Sequence, residues 1–233
     1  LHLQTMLGQA CIACHGYAAP ETAAAFTRAR VLADAFGNVS QQFHVLYGYW
    51  AVQYVRMAIR EQPKLAGHIL ALAERHPDPE RLCVAHRMCG ATHETMGELL
   101  TAREHLEQAV ALYDPERHGS TAFAFGQDLG VSALSHLSWV LWLLGYPDQA
   151  SRRQSEALAL AHRVGHKNTL GFALMYSAMA GAYGRNTGLA AEHSAALLEL
   201  AREEKFDLWA AGATVVTGWT IARRGQGAVG VAE

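Results

Sequence analysis

Apolar residues recur along this chain at helical spacing, and they do so in paired blocks. After Gly97-Glu-Leu-Leu-Thr-Ala102, the apolar positions Leu106, Ala109, Val110 and Tyr113 fall on one face of a helix. The same frame returns as Gly145-Tyr-Pro-Asp-Gln-Ala150 with Ala157, Leu158 and Ala161, and as Arg185-Asn-Thr-Gly-Leu-Ala190 with Leu197, Leu198 and Ala201. Upstream it reads Glu61-Gln-Pro-Lys-Leu-Ala66 with Leu70 and Ala73, and downstream Gly225-Gln-Gly-Ala-Val-Gly230. Each turn follows an apolar stretch of helical length: Gln41 to Arg60, Arg81 to Met96, Leu129 to Leu144, Asn168 to Gly184 and Phe206 to Arg224.

Small residues sit seven positions before four of these turns, at Gly90, Ser138, Ala178 and Gly218, where a facing helix must come close. The unit is therefore a helix, a tight turn and a second helix, about 40 residues long. One such unit leaves an apolar face bare, so neighbours must stack. The pattern predicts an all-α superhelix of about six helical hairpins in a single domain, at roughly 3–36, 41–76, 79–113, 127–165, 168–204 and 206–233.

Composition sharpens this picture. Hydrophobic residues make up 51% and charged residues 17% of the 233 residues, the balance expected of helices buried on more than one side. A formal charge of −2 with interspersed signs offers nothing to nucleic acid or to an anionic membrane. The most apolar run, Leu129 to Gly145, is interrupted by His136 and several serines and falls short of a bilayer span. The chain begins at Leu1 without a charged-then-apolar leader, so we expect a fragment of a longer cytoplasmic protein. Four unevenly placed cysteines fit free thiols better than a disulfide framework.

Three constellations raise the question of chemistry. Cys11-Ile-Ala-Cys14-His15 has the spelling of a covalent haem attachment site. Cys83, His86, Cys89 and His93 step by three and four along one helix and offer thiolate and imidazole to zinc, with His105 the one ligand type on the facing helix. The long segment between the third and fourth hairpins holds Asp114, His118 and Asp128, acids and a base that a small acid–base site would use. Its simpler reading is a loop in which Asp114 caps, Pro115 turns and Asp128 starts the next helix. Thirteen histidines are spread along the chain and single out no sensor.

Gly90, Gly97, Ala102 and Ala109, with Trp50, Ala66, Leu70 and Ala73 upstream, resemble slightly lengthened tetratricopeptide repeats. HRMCGATHETMGELLTAREHLEQAVALYDPERH (86–118), GQDLGVSALSHLSWVLWLLGYPDQA (126–150) and GWTIARRGQGAVG (218–230) are similar to the C-terminal repeat region of large bacterial proteins. Those proteins carry a class III adenylate/guanylate cyclase domain and an AAA-type ATPase domain ahead of the repeats. Turn spacing here runs from 36 to 48 residues against about 34 in the usual repeat.

The resemblance implies a non-catalytic scaffold, the regulatory or sensor arm of a cyclase/ATPase signalling protein. Its partner would be a protein, a peptide or the catalytic domains of its own parent chain, with no cofactor, no metal and no catalytic residue in this segment. Projected onto the chain, the repeat frame places Arg87, Glu94, Trp139, Trp142, Phe172, Met175, Met179, Tyr183 and Trp219 on or beside a concave binding surface. Within that frame Cys11 and Cys14 end a first helix and pack, as small apolar residues would, against a partner helix containing Phe26 and Ala29. The alternative is a haem or zinc protein using Cys11, Cys14 and His15 or the 83–93 cluster.

Overall fold

A computed structural model describes residues 1–118, 122 and 125–232, and every regular element among them is helical. The chain divides into two compact units, Leu1–Phe125 and Gly126–Glu233. The first holds α1 (His2–His15), α2 (Pro20–Phe36), α3 (Val39–Val55), α4 (Gln62–Arg75), α5 (Pro79–Thr95), α6 (Leu99–Leu112) and the single turn α7 (Pro115–His118). The second holds α8 (Leu129–Leu143), α9 (Pro147–Val164), α10 (Lys167–Tyr183), α11 (Thr187–Glu204), α12 (Asp207–Arg223) and the short α13 (Gly227–Ala232). Within each unit the helices pair as antiparallel hairpins, and each hairpin packs on the next. The first helices of successive hairpins also touch, α1 on α3 and α3 on α5 in one unit, α8 on α10 and α10 on α12 in the other.

Helix starts follow local chemistry. Asn38 accepts from the Gln41 amide while the Gln41 side chain returns to the Asn38 amide, a closed capping box ahead of α3. Asp78, Asp128 and Asn186 cap α5, α8 and α11 through the backbone three residues on. Pro20, Pro79 and Pro147 stand at first helical positions, where a missing amide hydrogen costs nothing.

The hairpin turns from Met57 onward share one geometry. A residue in the left-handed region closes the first helix at Gly16, Met57, Gly97, Gly145, Arg185 and Gly225. In the last five the next amide donates five residues back: Ala58 to Gln53, Glu98 to His93, Tyr146 to Leu141, Asn186 to Gly181 and Gln226 to Ile221, at 2.8–3.3 Å. This is the Schellman closure, which satisfies carbonyls that the helix end leaves open. From Met57 onward the closures recur every 40 residues except for the 48 between Gly97 and Gly145. The frame at Glu61 is thereby corrected: the second hairpin turns at Met57, and residues 58–61 are extra loop before α4.

The cores lie between helices of neighbouring hairpins. In the first unit Trp50 is 1% exposed and donates to the Thr92 hydroxyl at 3.0 Å, tying α3 to α5. Phe26, Ile69, Met88 and Leu106 are buried with it. In the second unit Leu174, Leu197, Leu200 and Ala213 form a cluster spanning α10, α11 and α12. Gln154 donates to the Ala173 carbonyl across α9 and α10, and Ser138 to the Ala150 carbonyl across α8 and α9. No helix among the described residues is long and apolar enough to cross a membrane.

Candidate interaction surface

The residues predicted for a concave surface separate into three groups. Arg87 and Phe172 are buried, at 4% and 6% exposure, and are not on an open face. The Arg87 guanidinium lies over the Trp50 ring at 5.0 Å and near Tyr47 at 5.8 Å, so cation–π contacts hold it between α3 and α5. Phe172 packs among His136, Tyr176 and Trp209. Met175 and Trp219 are half-buried against the cores around Ala178, Ala190 and Val216. Glu94 and Met179 are half-exposed.

Trp139, Trp142 and Tyr183 form the third group and come together. The two indoles, one helical turn apart on α8, stack with centroids 5.6 Å apart and planes within 11°. Tyr183, the last residue of α10, stands edge-on to both at 4.9 and 5.7 Å. Both indoles are half-buried, but Tyr183 is 58% exposed. Leu143 and Tyr146, which follow on the chain, are 42% and 44% exposed. The result is a platform of three mutually packed rings at the turn end of two adjacent first helices. Such surfaces supply large contact area with few side-chain torsions to freeze, the property that makes tryptophan and tyrosine the usual anchors of protein recognition.

The cysteine–histidine stripe takes a different form from a metal centre. The buried Cys83 thiol donates to the Ala109 carbonyl and the Cys89 thiol to the Ala66 carbonyl, on opposite sides of α5. Burial, reinforced by the Glu74 carboxylate, pushes the Cys89 thiol up to about 12, so it stays protonated. His86 and His105 meet through their Nδ1 atoms at 2.9 Å, His93 stacks on His105 at 5.5 Å, and His93 Nδ1 bonds the Glu98 carboxylate at 2.6 Å. Among the described residues no group of three or more His, Cys, Asp or Glu side chains is arranged to hold a metal ion. The three histidines of the stripe and the facing helix come together as a hydrogen-bonded and stacked seam between α5 and α6. Its signal was present in the pair His86 and His93 with His105 on the facing helix.

On α1, Cys11 is half-buried but Cys14 and His15 are exposed. The expectation that both thiols pack is corrected at Cys14: three residues turn the helix by about 300°, which carries Cys14 past the contact face. In the 114–128 segment Asp114 accepts from the Glu116 amide and its own amide meets His118 Nδ1, while Asp128 caps α8. Residues 119–121, 123 and 124 lie outside the described residues. No family model matches the sequence, and no curated protein matches it.

Proposed function

We propose that the chain is a non-catalytic helical-repeat scaffold that binds a protein or peptide partner, and that Trp139, Trp142 and Tyr183 are the centre of its binding surface. The observation that carries this reading is the three-ring platform, with Tyr183 58% exposed beside two stacked indoles. Exposed aromatic surface of this kind costs solubility unless something covers it. The resemblance to repeat segments of bacterial cyclase/ATPase proteins supports the finer form: a cytoplasmic regulatory arm whose ligand is a signalling partner or the catalytic domains of its own parent. Such an arm acts by contacting one state of the partner better than another and so shifting their populations.

The test is a pull-down from bacterial extract with the wild-type chain and with a Trp142→Ala, Tyr183→Ala variant whose circular dichroism matches wild type. Loss of a protein that the wild type retains is the expected result. Equal recovery of every retained protein contradicts the platform assignment.

A further inference from the structure

The segment that follows α6 is far longer than the other links between hairpins. Residues 113–128 separate Leu112 from Leu129, whereas residues 76–78, 165–166 and 205–206 suffice to join α4 to α5, α9 to α10 and α11 to α12. Within the first unit this segment turns back past α5 and α6 to α3. Phe125, 5% exposed, lays its ring parallel to the His44 imidazole, with centroids 5.0 Å apart and planes within 7°. The same ring stands edge-on to Tyr47 at 4.8 Å. Tyr47 continues into Trp50 and Tyr54, so Phe125 sits at one end of an aromatic stripe along α3.

The second unit shows what fills the corresponding place when the repeat frame supplies the ring. His44 and Tyr47 stand 13 and 10 residues before the left-handed closure at Met57, and Phe172 and Met175 stand at the same steps before Arg185. Phe172 receives Trp209 of the next first helix, 16 residues before the closure at Gly225, with ring centroids 6.0 Å apart. The Trp209 indole is fixed further by its bond to Asn168 at 2.6 Å. In the first unit the matching position of α5, 16 residues before Gly97, is Arg81, and its guanidinium turns back to the His76 carbonyl. The place over His44 is thus left to a residue on a connector.

We propose that His44 and Tyr47 form a slot for one aromatic side chain of a partner peptide, and that Phe125 fills it in the free chain as a tethered internal competitor. Phe125 itself defines the chemistry of the occupant: a flat ring that stacks on the imidazole and meets the phenol edge-on. A phenyl ring brings no polar group to anchor it there. Trp209 is held wherever α12 packs, but Phe125 is held by its own contacts against the entropy of closing a long connector. A partner segment that presents a ring of its own meets the same two faces and releases the connector. The slot belongs to the first unit and does not rest on the three-ring platform.

The probe is a synthetic peptide with the sequence of residues 122–128 in which Phe123→Ala leaves a single ring, that of Phe125; its control has both phenylalanines changed to alanine. With 4-fluorophenylalanine at position 125 of the full chain, a large excess of probe should move the fluorine resonance to its position in the denatured chain, and the control should leave it in place. This measurement truncates no buried side chain. Phe125→Ala should bind the probe at least about tenfold more tightly than wild type, because removing an internal competitor raises the fraction of open slots. His44→Ala in the same background should reverse that gain. A fluorine resonance that the probe leaves unmoved, or that the control moves equally, overturns the proposal and makes Phe125 a permanent part of the core. Equal affinity of wild type and a folded Phe125→Ala overturns it as well.

Discussion

Arg185 and Gly97 occupy the same place in two hairpin turns and differ in what that place costs. Both sit in the left-handed region, at φ of 55° and 77°. Only glycine adopts that conformation freely; a side chain adds about 1 kcal/mol. Nothing lies within 4 Å of a Cβ built on Gly97, so Gly97→Ala should lose stability by about 1 kcal/mol through the backbone alone. Arg185→Gly should gain between about 0.5 and 1 kcal/mol by the same argument. Urea denaturation of the two variants checks both signs, and a destabilised Arg185→Gly would mean that the arginine side chain contributes contacts outweighing the strain. Met57 shows why one turn was misplaced in the sequence. Methionine carries no signature of a left-handed turn, whereas Gly97, Gly145 and Gly225 do, so the frame slid to the next polar cluster at Glu61.

At the scale of elements, α5 and α6 are joined by a seam that depends on protonation. Burial holds the His86 and His105 pKa values below the ordinary imidazole range, with His86 and His93 adding to the effect on His105. Glu74 of α4 opposes both shifts, and Glu104 of α6 opposes that of His105. The 2.9 Å Nδ1 contact requires one donor and one acceptor, so it cannot survive when both rings are protonated. Because the unfolded chain binds these protons at higher pH than the folded one, stability is complete above the ordinary imidazole pKa of about 6.5. It declines as pH falls through that value and levels off once the folded rings protonate as well. Hydrogen exchange of peptides from α5 and α6 should therefore speed up between pH 7.5 and pH 5 relative to the intrinsic rate, and a His105→Gln variant should flatten that trend. An unchanged pH slope in the variant would assign the effect elsewhere, for instance to the similarly lowered His166 and His193. Spacing brought His86, His93 and His105 together, but the Nδ1 contact and the stacking were not legible, because the facing register of two helices depends on the turn between them.

For the whole molecule, the repeated hairpin was the most legible feature, since it is written redundantly in small residues, turn glycines and apolar stripes. The surface was far less so. First helices such as α3, α10 and α12 bury residues on several sides, and their stripes do not distinguish a groove from a stacking face. Arg87 illustrates the problem: its charge argues for solvent, yet the Trp50 and Tyr47 rings hold it inside. Trp139 and Trp142 were placed together by their three-residue spacing, but the partnership with Tyr183 required the packing of α8 on α10. The claim that most needs testing is that this three-ring platform is where a partner binds. Photo-crosslinking decides it, with a benzophenone amino acid at Tyr183 and, as a control, at Leu100, which is 67% exposed on α6. A discrete crosslinked protein is expected from position 183, absent from position 100 and competed away by unlabelled wild-type chain. Crosslinks that are absent at 183, or the same at both positions, would contradict it.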